Sequence, residues 1–145
     1  MKMAEINIGI VGYSAQKFNE EDAKRMIFEA YNMLDAKYAD QKKVIISGLT
    51  DLGIPALAYR EAVRRGWKTV GIACKKAVEF ACFPVDETKI IGNEWGDESP
   101  SFLKSIDVLV RIGGGNQAKR ETLEAKANGK GVIEYELPSI KLGGN

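Results

Sequence analysis

The residues best placed for chemistry are Gly113-Gly114-Gly115-Asn116-Gln117, between an apolar run and a helical pattern. A helix start carries unpaired backbone N–H groups and a partial positive charge, so anions settle there. Glycines remove the Cβ atoms that would keep a ligand away from those amides. Asn116 and Gln117 add side-chain donors. A triple glycine can equally be no more than a tight turn, so the argument leans on two further loops. Gly12-Tyr13-Ser14-Ala15-Gln16-Lys17 follows the first apolar run, and Ser47-Gly48-Leu49-Thr50-Asp51-Leu52-Gly53 follows the second. In this reading the amides of Gly114 and Gly115, with Asn116 and Gln117, hold a phosphate against a turn that Gly113 opens. Ser14, Gly48 and Thr50 bond a sugar or second phosphate, and Gly12 closes its strand. Tyr13 either stacks on a base or packs in the core. Glu121, one turn into the helix, either reaches toward the loop or pairs with a surface lysine.

Several chemistries are excluded. The chain has no histidine, which removes histidine general bases, Ser-His and Cys-His pairs and histidine-ligated metals. Its cysteines, Cys74 and Cys82, fit no zinc or CxxC spacing. They are expected to be free thiols, with Cys74 in the core. No metal site is expected. There is no Gly-Lys-Ser/Thr of a P-loop and no complete Gly-x-Gly-x-x-Gly. Net charge is +1, and the basic pairs Lys42-Lys43, Arg64-Arg65 and Lys75-Lys76 read as solvated ends of elements rather than a nucleic-acid surface. No apolar run is long enough to span a membrane, and the N-terminus lacks a signal-peptide core, so a cytoplasmic location is expected.

These loops need a frame. Apolar runs at 6–11, 44–46, 69–73, 108–112 and 131–135 read as buried strands, and 89–91 can add a short one. Between them, Ala23, Ile27, Ala30, Leu34 and Tyr38 mark one face of a helix that Asn19 can cap. Further helices are expected over 53–65, stopped by Gly66, over 100–105, and from Asn116 to just before Gly129. The alternation predicts an α/β fold, a doubly wound, mainly parallel sheet of five to seven strands with helices on both faces. One domain over 1–140 is expected, with a flexible tail at 141–145. The irregular segment 77–99 either folds over the edge of the ligand site or is a surface excursion pinned by aromatics. Ala118, Thr122, Ala125 and Gly129 let the last helix sit close to the sheet. Leu123 and Ala127 form a modest apolar patch on its far side, open to a second subunit.

The strand and loop Ile8-Gly9-Ile10-Val11-Gly12-Tyr13-Ser14 resemble the Rossmann-like SLOG superfamily. So do Ser47-Gly48 through Gly53-Ile54-Pro55-Ala56, Val110-Arg111-Ile112-Gly113-Gly114-Gly115, and Gly129-Lys130-Gly131-Val132-Ile133. That superfamily includes the LOG ("lysine decarboxylase-like") phosphoribohydrolases and the molybdenum cofactor carrier proteins. The resemblance implies a nucleotide or molybdopterin-like ligand, phosphate at the triple glycine, and a homodimer or higher oligomer. LOG enzymes carry Pro-Gly-Gly-x-Gly-Thr-x-x-Glu. Here Ile112 replaces the proline, Asn116-Gln117 replaces Gly-Thr, Arg120 falls at the glutamate position and Glu121 comes one residue late. The expected function is therefore binding of a phosphorylated, nucleotide-like small molecule, as carrier, sensor or sequestering protein, without turnover. The alternatives are a nucleoside 5'-monophosphate phosphoribohydrolase using Glu121 and an interaction module with no small ligand.

Overall fold

A computed structural model describes residues 3–140. The proposed tail at 141–145 lies outside the described residues. Six strands form one parallel sheet: β1 (Glu5–Gly12), β2 (Lys42–Ser47), β3 (Lys68–Ala73), β4 (Glu87–Ile90), β5 (Val108–Ile112) and β6 (Gly131–Tyr135). Their spatial order is β4-β3-β2-β1-β5-β6. Every pairing is parallel, as the short apolar runs predict. The optional strand near residue 90 is real. It forms an edge whose residues are all exposed, with Glu87 and Lys89 blunting it against further pairing.

The helices are α1 (Glu20–Lys37), α2 (Gly53–Arg64), α3 (Ser99–Ser105) and α4 (Asn116–Ala127). Asn19 caps α1, its Oδ1 accepting the Asp22 N–H at 3.0 Å, and Ala23, Ile27, Ala30 and Leu34 are buried as their spacing requires. Successive strand residues face opposite ways and so divide the core. Ile6, Ile8 and Ile10 of β1 pack with α1 and α2 on one face of the sheet. Val44 and Ile46 of β2 and Val70 and Ile72 of β3 join Phe102, Leu103, Ala118 and Ala125 of α3 and α4 on the other. Gly9 permits that second layer. A Cβ there would stand 2.8 Å from both Ile106 and Phe102, so only glycine lets this end of α3 lie on β1. The result is a doubly wound, Rossmann-like α/β fold.

The two layers are unequal. Eighteen-residue α1 and twelve-residue α2 cover the first face. On the second, the connection after β3 holds only a short 3-10 turn at Lys75–Glu79 and an irregular stretch around β4. That thin covering leaves the carboxyl ends of β1, β2 and β3 accessible from this side.

Candidate functional site

The chain runs outward from β1 in both directions, through β2 on one side and β5 on the other. Such a reversal of strand order opens a crevice at the carboxyl ends of the strands, where ligands of open α/β sheets bind. Here the crevice is a cleft of about 380 Å³. It is lined by the loops after β1, β2 and β5, by the start of α4, and by Trp95, Glu98 and Phe102 from the approach to α3 and α3 itself.

Most of the sequence-derived residues meet there. Gly12, Tyr13, Ser14, Gly48, Thr50, Gly115, Asn116, Gln117 and Glu121 all line the cleft. Gly113 and Gly114 do not; both are buried behind it. Their φ angles of +58° and +101° require glycine. A Cβ on Gly113 would lie 2.6 Å from the Leu137 carbonyl oxygen, and one on Gly114 would lie 2.6 Å from the Ala118 Cβ. Gly115 differs, since a Cβ there would meet nothing within 4 Å. The triple glycine thus divides into two residues that fold the turn and one whose backbone stands open.

The turn is braced from behind by Arg111. This buried guanidinium donates to the Gly113 carbonyl at 2.9 Å and pairs with Glu134 at 3.0 Å and Glu136 at 2.5 Å. The first turn of α4 has no side-chain cap and no acidic residue, so its positive end is answered by nothing on α4 itself. The start of α2 also lacks a side-chain cap, but there the Ile54 N–H donates to the Tyr13 carbonyl at 2.7 Å. The Tyr13 ring stacks on Phe18 at 6.0 Å and its Cε2 lies close to where a Gly113 Cβ would be, so much of it serves the turn.

Glu121 is the buried ionisable group of the cleft, only 6% exposed. The Ser99 hydroxyl donates to its Oε2 at 2.5 Å. Burial pushes this carboxyl above the ordinary glutamate range; hydrogen bonds from Ser99 and Gln117 partly offset that, the Glu98 charge adds to it and Arg120 opposes it. The surface pairing with a lysine weighed for Glu121 does not occur. Cleft-lining Glu98 and Glu121 carry carboxyl groups, and among the described residues no lysine or arginine lines the cleft.

The irregular segment 77–99 does reach the edge of the cleft, as one of its two readings had it, through Ala77, Trp95 and Glu98; sequence reasoning did not single out Glu98, Ser99 or Phe102 of α3. It also missed Tyr59, whose buried hydroxyl accepts from the Ser47 N–H at 3.0 Å and lies within donor range of the Gly48 and Val70 carbonyls at 2.7 and 3.0 Å. That one hydroxyl holds the end of β2 and its loop in place. The segment at 81–83 clamps the same loop, through Asp51 N–H to Ala81 and Phe83 N–H to Leu49. Cys74 is buried, Cys82 is exposed, and both are free. Among the described residues there is no acidic, cysteine or histidine group that could hold a metal ion, and no helix is long and apolar enough to cross a membrane.

Fold and site together define a doubly wound α/β protein with a ligand-sized cleft at its switch point. No protein-family model and no curated protein matches the sequence. Solved structures do. The X-ray structure of TM1055, a structural genomics target, is 26% identical over 88% of this chain and 72% of that one, with a TM-score of 0.69. The molybdenum cofactor carrier protein of Chlamydomonas reinhardtii is 21% identical over 90% and 76%, with a TM-score of 0.69. The molybdenum cofactor binding protein of the phototrophic bacterium Rippkaea orientalis is 22% identical over 92% and 77%, with a TM-score of 0.67. The chain therefore shares the fold of these solved structures.

Proposed function

We propose that the protein binds a phosphorylated, nucleotide-like small molecule in the switch-point cleft and carries, senses or sequesters it. The observation that supports this is the uncapped start of α4, opening through Gly115, Asn116 and Gln117 into a cleft large enough for more than a phosphate. Backbone amides there hold the phosphate, while Ser14, Gly48 and Thr50 bond the sugar or its equivalent. Arg111, Gly113 and Gly114 keep the turn in shape. Proteins named as carriers or binders of the molybdenum cofactor share the fold, and a molybdopterin-like compound belongs among the candidate ligands with the nucleotides. Calorimetric titration with nucleoside 5'-monophosphates and a molybdopterin-type phosphate tests the reading, alongside mass spectrometry of what co-purifies. A saturable signal that Gly115→Asp abolishes is expected; no heat with any of them leaves an interaction module without a small ligand.

One observation favours a second reading. Glu121 is a buried carboxyl facing the cleft with a raised pKa, the kind of group that can exchange a proton or stabilise an oxocarbenium-like centre in N-glycoside cleavage. Release of free base from a nucleoside 5'-monophosphate by the native protein, lost in Glu121→Gln, would establish the phosphoribohydrolase instead. Leu123 is 65% exposed on the outer side of α4, and we place it with Ala127 in the contact of a homodimer or higher oligomer. Leu123→Glu is expected to shift the native mass toward the monomer while changing the stability of the fold itself by less than about 0.5 kcal/mol.

A further inference from the structure

The proposed phosphate site accounts for only part of the cleft lining. Trp95, also in that lining, stands on a turn between Gly92 and Gly96, both at positive φ. The Asp97 carboxylate fixes this turn by accepting the Asn93 and Glu94 N–H groups, each at 3.0 Å. Lys76 ties it back to the 3-10 turn through Glu94, and the Gly92 carbonyl accepts the Lys75 N–H at 3.0 Å. A large aromatic ring is thereby held in the cleft wall, against Phe80 at 6.0 Å, yet remains 53% exposed. An indole so exposed on a braced turn is out of place in a folding role. Below it the cleft is apolar, with Phe102, Ile72, Ala73 and Ala77. Beside it stand Glu98 and Glu121. Glu98 already accepts the Gly96 N–H at 3.2 Å, and Glu121 accepts the Ser99 hydroxyl.

This part of the lining suits something flat that brings hydrogen. A carboxylate only accepts, and among the described residues no lysine or arginine lines the cleft. A ligand that was an anion throughout would meet two acidic side chains there and, among the described lining residues, no lysine or arginine. A ligand with a phosphate at one end and N–H donors at the other meets bare amides and carboxylates in turn.

We propose that Trp95, Glu98 and Glu121 form a ring-recognition subsite, in which a planar nitrogen heterocycle stacks on the indole and donates an exocyclic amino group to the carboxylates. It rests on the phosphate reading above and names the other half of the ligand: an amino-substituted heterocycle, as against an oxo-only ring or a bare sugar phosphate. Titrating AMP, GMP, IMP and ribose 5-phosphate into the native protein, Trp95→Ala and Trp95→Tyr separates the parts. AMP or GMP, which carry an exocyclic amino group, should bind more tightly than IMP, which has none, and IMP more tightly than ribose 5-phosphate. Trp95→Ala should weaken the nucleotides by about tenfold, Trp95→Tyr should restore most of that, and ribose 5-phosphate should be indifferent to both. Ribose 5-phosphate binding as well as the nucleotides, or IMP equalling AMP and GMP, overturns the subsite while leaving the phosphate site standing. Binding of none of the four overturns both.

Discussion

Two helices of this protein begin in opposite ways. Helix α1 answers its own positive end: Asn19 caps it, and Glu20, Glu21 and Asp22 fill its first turn. Helix α4 begins on Gly115, with no side-chain cap and no acid in the first turn. A cap typically contributes about 1 kcal/mol and acidic residues in the first turn add to it, so α4 forgoes stability that α1 takes. The chain has the residues to cap a helix and uses them where the helix faces solvent. It omits them where the helix faces the cleft. Helices α2 and α3 also start without a side-chain cap, so the contrast supports the proposed site only together with the open backbone at Gly115.

The comparison can be broken at several points. The largest effect is expected within the triple glycine. Gly113→Ala puts a side chain at φ +58° with its Cβ 2.6 Å from a backbone oxygen, and about 3 kcal/mol of stability should be lost in denaturant unfolding. Gly115→Ala, two residues on, should cost less than about 0.5 kcal/mol, because its Cβ meets open space. Equal losses at both would show that the turn does not divide as described. Next comes Asn19→Ala, expected to cost about 1 kcal/mol with no change in ligand affinity. Smaller in stability but sharper in meaning is Gly115→Asp. The backbone there is already extended, at φ −92° and ψ −155°, so an aspartate can cap α4 as Asn19 caps α1. A gain of about 0.5 kcal/mol should accompany loss of anion binding. A variant that gains stability and still binds would remove α4 from the proposed site.

Much of this frame was legible in the residues. Apolar period and length gave β1, β2, β3 and β5 because both faces of the sheet are buried there, and burial is what periodicity records; the exposed edge strand β4 read only as an option. The Asn19 cap and the meeting of three loops at one sheet edge followed from local chemistry and from the geometry of parallel sheets. What separates Gly113 from Gly115 was not legible. The residue type is the same, and only Leu137 and Tyr13, brought in from elsewhere, decide which one is packed. The segment 77–99 was legible only as one of two alternatives, and which of its residues reach the cleft was hidden for a related reason. Trp95 and Glu98 sit on a stretch without periodicity, and a turn held by Asp97 aims them, not a repeating element. Tyr59 looked like any core position of a helix, and nothing in the chain announces that its hydroxyl reaches the end of β2 and the middle of β3.

Glu121 gives the smallest expected effect and completes the contrast between the two helices. The first-turn carboxylates of α1 lie at the surface, where the helix dipole favours them. The carboxyl of α4 lies deeper along its helix and is buried by α3, and burial outweighs what Ser99 and Gln117 give back. A carboxyl whose folded-state pKa is raised holds its proton more tightly in the folded chain than in the unfolded one. Its favourable contribution is complete below the unfolded pKa, where both states are protonated, and is lost as pH rises through the folded value. Above the folded value the ionised group therefore weighs against the fold. Glu121→Gln keeps the shape and an acceptor for Ser99 without the charge. Thermal melts should show the variant and the native protein alike at acidic pH, with the variant pulling ahead as pH rises into the neutral range. A native protein that stayed ahead at neutral pH would mean that the ionised carboxylate is stabilised in place, and Glu121 would then be part of the scaffold, not a group held in the cleft against the interest of stability.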